Sequence, residues 1–258
     1  MNLLNDSLLK LQLGPITAFD RLAVVPLLAR TDTQADYLTL EAALAQGSAR
    51  VTAVSASATG ESGGLYCENA GHRNVLYVAP EPRLSVPGGR LRPSLLVGPG
   101  GRARVSPLAS MNRHTPPQQL DVFDTAEHQL GQFTRVFHAL PRQVGGVFLI
   151  NDEPVGLEVF DAPETFAALF AQLVRSYALD ALARPASRHQ RTGLRCAEAF
   201  IAQVVVAAAE RSSVHDTSAA VALSSQRITG GALLSKNRVV HLAAFQRHAA
   251  GNPFDALH

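Results

Sequence analysis

The stretch from Asp161 to Leu182 constrains this chain more than any other. Phe166, Leu169, Phe170, Leu173, Val174, Tyr177 and Leu182 recur at helical spacing, which sets them along one apolar stripe of a helix of about five turns. Asp161-Ala162-Pro163-Glu164 opens the segment. It reads as a capping box, the Asp161 carboxylate accepting the Glu164 backbone N–H while Glu164 reaches back. Pro163 suits the first turn, where its missing N–H costs nothing. Just upstream, Val147-Phe148-Leu149-Ile150 and the run from Pro154 to Phe160 flank Asn151-Asp152-Glu153, a hairpin signal.

The remainder reads mainly as β. Ile16 to Leu28 is extended, ending near Pro26. A short helix from Leu40 to Ala45 has Thr39 as its cap and Gly47 as its stop. Short strands are expected at Val51–Ala56, Gly64–Glu68, Val75–Val78, Leu91–Val97 and Ala103–Leu108, punctuated by Gly, Asn and Pro. Leu120 to Leu140 has a loose helical period. A second long helix, Leu194 to Arg211, is apolar on nearly every side and is expected to be deeply buried. The end is β again: Ala219–Ser224, Ile228–Leu234 and Arg238–Phe245, with Ser235-Lys236-Asn237 as the last turn. The expected fold is α+β: a β-rich core of short antiparallel strands, two long helices in the C-terminal half and a closing hairpin. Residues 1–245 form one domain on this reading, and 246–258 a flexible tail.

Composition bounds the function. The chain has 258 residues, 47% of them hydrophobic and 17% charged, which excludes a disordered chain, a coiled coil and a collagen-like fibre. A net charge of +2 with few charged residues weakens mutual repulsion and favours self-association, so a homodimer is expected. Met1 to Leu13 lacks the charged and apolar regions of a signal peptide, and the longest apolar run, Ala199 to Ala209, is too short to cross a bilayer. A cytoplasmic protein that binds no membrane is expected, with Cys67 and Cys196 as reduced thiols.

The near-balance of charge hides a segregation. Between residues 80 and 119, Glu81 stands against Arg83, Arg90, Arg92, Arg102, Arg104 and Arg113; from 120 to 164 the charged residues are mostly acidic. Apart from Lys10 and Lys236, every cationic side chain is arginine. Guanidinium forks suit phosphate and carboxylate, although the abundance of alanine also marks a compositional bias. An anion site requires those side chains to converge in space. Nucleic acid is not expected, because 6% aromatics and no Trp leave no stacking platform for single strands.

Other chemistries lack their motifs. Gly98-Pro99-Gly100-Gly101 runs into the strand Arg102-Ala103-Arg104-Val105, so it reads as a hairpin turn and not a phosphate loop. The nine histidines include no H-x-H or H-x-x-x-H pair, so no metal or cofactor is expected. There is no G-x-S-x-G elbow. His241 lies in an apolar strand and reads first as a satisfied core or edge residue, His215-Asp216 as a loop pair. Glu81 beside Arg83 or Arg90 would be a structural ion pair.

Three stretches carry a family resemblance: Asp36-Tyr37-Leu38-Thr39-Leu40-Glu41-Ala42-Ala43, the run from Val159-Phe160-Asp161-Ala162-Pro163-Glu164 through Leu182, and Val239-Val240-His241-Leu242-Ala243-Ala244-Phe245. In order along the chain, they resemble the ADP-ribosylglycohydrolase and rhodanese-phosphatase-superfamily-associated protein domain. That family has no settled activity, and its associations imply ADP-ribose or nucleotide metabolism. Its members tend to carry a polar signature resembling G-E-x-L-x-G-x-x-Q-N-R. Here the segment from Pro80 to Arg90 keeps Glu81 and Arg90 but has Gly88-Gly89 for the Gln-Asn pair. A later S-C-V-E-Q-G-R-W-like stretch appears as Leu108 to Arg113, without the Cys, Glu or Trp. The resemblance therefore implies a divergent member. The expected function is a non-catalytic binding or accessory protein for an anionic, nucleotide or ADP-ribose-like small molecule. The candidate ligand-binding residues are Glu81, Arg83, Arg90, Arg92, Arg104 and His241. The alternatives are a hydrolase of ADP-ribose or nucleotide derivatives using Glu81, Arg90 and a distant histidine such as His241, and a structural homo-oligomer.

Overall fold

Val147, Phe148, Leu149 and Ile150 are all buried, yet they serve two cores: Val147 and Leu149 join one apolar cluster, Phe148 and Ile150 another. Successive strand residues point to opposite faces, so an unbroken apolar run means a sheet covered on both sides. The computed structural model describes residues 3–54, 64–79, 94–105, 120–185, 193–208 and 218–247. Those residues form five helices and fourteen strands, an α+β fold.

The large sheet has eight antiparallel strands. They are β1 (Gln12–Leu13), β2 (Thr17–Phe19), β3 (Leu22–Leu28), β10 (Gln143–Ile150), β11 (Glu153–Phe160), β12 (Ser218–Ser224), β13 (Ile228–Ser235) and β14 (Arg238–Gln246). Their order is β1-β3-β10-β11-β14-β13-β12, with β2 also on β3. Helices α1 (Leu3–Leu9) and α5 (Gly193–Ala207) pack on one face through Leu4, Leu8, Ala197, Phe200 and Val204. Helices α3 (Leu120–Val136) and α4 (Pro163–Ala183) cover the other through Leu130, Phe133, Phe166 and Phe170. The tight turns are made where the sequence places them. Asn151 and Asp152 have φ of 52° and 64° between β10 and β11, and Lys236 and Asn237 have φ of 49° and 59° between β13 and β14, the left-handed pair of a two-residue hairpin.

Helix α4 has the expected stripe, with Phe166, Leu169, Phe170, Leu173, Val174 and Tyr177 buried. Tyr177 lies parallel to Phe148, ring centroids 3.8 Å apart, above Gly156, which is paired with Phe148. A Cβ at Gly156 would stand 2.1 Å from the Tyr177 hydroxyl oxygen, so only glycine fits beneath the ring. By length and composition α4 could cross a membrane, but half of that apolar window is buried inside the molecule.

Two three-stranded sheets occupy the described part of the chain between β3 and α3. One holds β4 (Tyr37–Thr39), parallel to β7 (Asn74–Tyr77), with β8 (Leu95–Val97) antiparallel to β7. The other holds β5 (Ala49–Val54), β6 (Gly64–Asn69) and β9 (Arg102–Val105). Together with α2 (Leu40–Ala45) they close a third core around Ala43, Cys67, Val75 and Val97. Thr39 Oγ1 caps α2, accepting the Ala42 N–H at 3.3 Å. Tyr37 and Leu76 join the core on the α4 face of the large sheet, so the β4-β7-β8 sheet packs on that face.

Four expectations are corrected. Ala162, and not Asp161, occupies the N-cap of α4, with no side-chain cap. Asp161 instead accepts from Tyr37, and Glu164 Oε1 accepts the Ala35 N–H at 2.7 Å: partners distant in sequence outcompete the local ones. Helix α5 is not enclosed on all sides; it buries one face, while Val206 is 70% exposed. The Gly98–Gly101 segment is a turn, with Gly101 N–H donating to the Gly98 carbonyl at 2.9 Å. It is not a hairpin, because β8 pairs with β7 and β9 with β6; the turn carries the chain from one small sheet to the other. Ile16–Leu28 is two strands, broken at Asp20, where φ is 52°. At the far end, β14 runs through Gln246, and Arg247 N–H donates to the Arg227 carbonyl at 2.7 Å.

Candidate functional site

Of the six candidate residues, Glu81, Arg83, Arg90 and Arg92 lie outside the described residues, as does the His215-Asp216 pair. Arg104 and His241 are described, and the fold does not bring them together. Arg104 is exposed on β9 of a small sheet, whereas His241 is buried on β14 of the large one. Each nevertheless belongs to a cluster.

Arg104 pairs in register with Tyr66, and Arg102 with Glu68, which is also opposite Arg50. Directly opposed residues share a sheet face, so Arg50, Arg102, Arg104, Tyr66 and Glu68 lie on one side of the β5-β6-β9 sheet. Arg50 Nε donates to Glu68 Oε2 at 2.6 Å, Arg102 Nε stands 3.5 Å from Oε1, and the Arg102 guanidinium covers the Tyr66 ring 4.2 Å from its centroid. Arg50, through its hydrogen bond, and Arg102 hold the Glu68 carboxyl below its ordinary value. Among the described residues this face presents three guanidiniums against one carboxylate, a surplus of positive charge beside an aromatic ring.

His241 is the centre of a buried polar chain. Its Nδ1 is 2.5 Å from Ser94 Oγ, and its Nε2 is 2.7 Å from Glu158 Oε2. The imidazole stacks on Phe160, centroids 4.3 Å apart, its partner in the β11–β14 register. Glu158 sits two residues back on the same face. Ser94 comes from the residue before β8, so the chain of bonds ties a small sheet to two central strands of the large one. With the carboxylate ionised, Nε2–H donates to Glu158 and Nδ1 accepts the Ser94 hydroxyl. Relative exposures of 4%, 5% and 0% for Ser94, His241 and Glu158 leave the group closed to bulk water.

Sequence reasoning found His241 and, in the hydrolase alternative, grouped it with Glu81 and Arg90, which lie outside the described residues, and not with Ser94 or Glu158. Glu158 carried a legible signal, a lone carboxylate in the apolar run Leu157-Glu158-Val159-Phe160, as His241 is a lone imidazole in Val239-Val240-His241-Leu242. Such residues in central strands must find each other or another partner. Ser94, between Pro93 and Leu95, carried none.

A second polar cluster lies where β4 meets the end of β11. The Tyr37 hydroxyl donates to Asp161 Oδ1 at 2.5 Å and lies 3.0 Å from Thr165 Oγ1. Arg238 Nε stands 3.1 Å from Asp161 Oδ2, off the angle of a hydrogen bond, so it acts through charge. Its other arm meets Asp36, whose second oxygen accepts from Lys236 at 2.8 Å. Burial pushes the Asp161 carboxyl above its ordinary value against the opposing pull of Tyr37 and Arg238. Asp36, nearer water, is held below its own by Lys236 and Arg238.

No curated protein and no solved structure matches the chain. A family profile does, over residues 10–81 and 106–245. Glu81, Glu158 and His241 fall within the matched stretches; Arg83, Arg90, Arg92, Ser94 and Arg104 fall between them. With most of its length matched, this chain belongs to the family of the ARG and Rhodanese-Phosphatase-superfamily-associated Protein domain.

Proposed function

We propose that the protein is a non-catalytic binding or accessory protein that holds an anionic small molecule, of the nucleotide or ADP-ribose class, on the exposed face of β5-β6-β9. The observation that carries this reading is the arginine surplus beside Tyr66. Guanidinium pairs grip phosphate bidentately, and the Tyr66 ring beneath the Arg102 guanidinium supports that group at the surface. The family's association with ADP-ribosylglycohydrolases favours that class of ligand. Calorimetric titration with ADP-ribose, ADP and inorganic phosphate is the test. Binding that weakens with salt, and by at least about tenfold (~1.4 kcal/mol) in Arg102→Ala/Arg104→Ala, is expected. No heat at high micromolar protein, or binding unchanged in the variant, rejects the reading.

The Ser94–His241–Glu158 geometry favours a second reading, a hydrolase whose enclosed site must open to admit substrate and water. In it Ser94 Oγ attacks an electrophilic carbonyl carbon or phosphorus as its proton passes to His241 Nδ1. Glu158 steadies the imidazolium, the leaving group takes that proton, and water then releases the acyl or phosphoryl group from Ser94. Exposure to a fluorophosphonate followed by peptide mass spectrometry separates the two uses. Modification of Ser94, lost in His241→Ala, would support hydrolysis; an unmodified Ser94 in folded protein would leave the trio as a structural tie.

A further inference from the structure

The two edges of the large sheet are built differently. One ends in β1 and β2, strands of two and three residues separated by Pro15, and short, interrupted edges resist pairing with other chains. The other ends in β12, which pairs with β13 without a register shift over seven residues. Among the described residues, no strand lies on its outer side. Its sequence, Ser-Ala-Ala-Val-Ala-Leu-Ser, contains no charge and no proline, so the features that usually blunt an edge are missing.

We propose that β12 is a homodimer interface, pairing antiparallel with β12 of a second copy about a two-fold axis through Val221. The strand is close to a palindrome. That axis sets Ser218 opposite Ser224, Ala220 opposite Ala222 and Val221 opposite itself, so like meets like there, and Ala219 opposite Leu223 is the one unlike pair. Self-complementarity of this kind is what an isologous contact demands. Val221 and Leu223 face the core beneath α5, while Ala220, Ala222 and Ser224 are exposed on the opposite face. The two-fold runs the core-facing stripes of both copies into one and joins two eight-stranded sheets into a continuous one. The small exposed alanines let the second strand approach to ladder distance without a clash. On the α5 layer, Val206 is 70% exposed although its neighbours Val204 and Ala207 belong to the cluster that holds Val221 and Leu223. A net charge of +2 per chain offers little repulsion to the approach.

The test is the mass of the unmodified chain by light scattering after size exclusion, expected at twice 27.4 kDa. Ala220→Lys/Ala222→Lys alters only exposed positions and sets like charges opposite each other across the axis. Dimer affinity should fall at least about tenfold, with circular dichroism and melting temperature of the monomer retained. Mixing that variant with Ala220→Glu/Ala222→Glu should restore a dimer containing one of each, because the same register now opposes unlike charges. Amide exchange needs no variant: protection of residues 219–223 should rise with protein concentration. A monomer at high micromolar concentration, a lysine variant that stays dimeric, a mixture that does not associate, or exchange independent of concentration overturns the proposal.

Discussion

Two polar clusters fasten the β4-β7-β8 sheet to β11 and β14, and they differ in how far water reaches them. Ser94, His241 and Glu158 are closed off almost completely, and each bond there links buried groups. At the other cluster, Tyr37 is buried, Asp161 nearly so, and Arg238, Asp36 and Lys236 open progressively to solvent. Polar contacts between the same layers therefore do different work in the two places. In the enclosed trio, losing one member strands the others in an apolar surrounding. In the graded cluster water replaces part of whatever is lost.

His241→Ala should cause the largest loss, about 3–5 kcal/mol of unfolding free energy in denaturant titration, since Glu158 would be left buried with its imidazole gone. Glu158→Leu/His241→Leu should recover most of that deficit by removing both polar partners. A single-variant cost below about 1 kcal/mol would put water inside the trio and erase the contrast between the clusters. Tyr37→Phe comes next, at about 1–3 kcal/mol, because Asp161 Oδ1 loses its donor where little water can substitute.

Asp36→Asn is the smallest, at most about 1 kcal/mol, and less in high salt. Its signature is the pH profile. Asp36 is held below its ordinary value in the folded chain, so its share of stability is present above that value and is lost as the pH falls through the lowered one. Asp161 runs the other way. Raised by burial, it binds its proton more tightly when folded, and its contribution declines as the pH climbs from the ordinary carboxylate value through the raised one. Thermal melts across the acid range should therefore flatten on opposite sides in Asp36→Asn and Asp161→Asn. Equal slopes in the two variants would mean that the cluster is not graded.

Much of the fold was legible because its signals are local. The α4 stripe, the Thr39 cap, the Asn151-Asp152 turn and the Lys236-Asn237 turn each depend on residues within a few positions of one another. The Asp161–Glu164 box failed at the same level. Its spacing was right, but Tyr37 and the Ala35 N–H, more than a hundred residues away, supply better partners. The candidate site was legible in part. Arg104 is at the surface beside further arginines, but their grouping with Arg50 and Tyr66 depends on strand register, which short strands leave unspecified from sequence. His241 stood out as a polar residue in an apolar strand. Its partners did not, because β11 and β14 become neighbours only in the folded sheet.

By itself the sequence determined the elements: where helices begin, where hairpins turn and which residues must leave water, since propensity, periodicity and turn stereochemistry act over a few residues. Tertiary structure alone decided the strand order β1-β3-β10-β11-β14-β13-β12, the enclosure of Glu158 with His241 and Ser94, and the use of Asp161 as a tie between layers. Those outcomes are set by competition between distant partners for the same buried space, and only the assembled chain brings the competitors together.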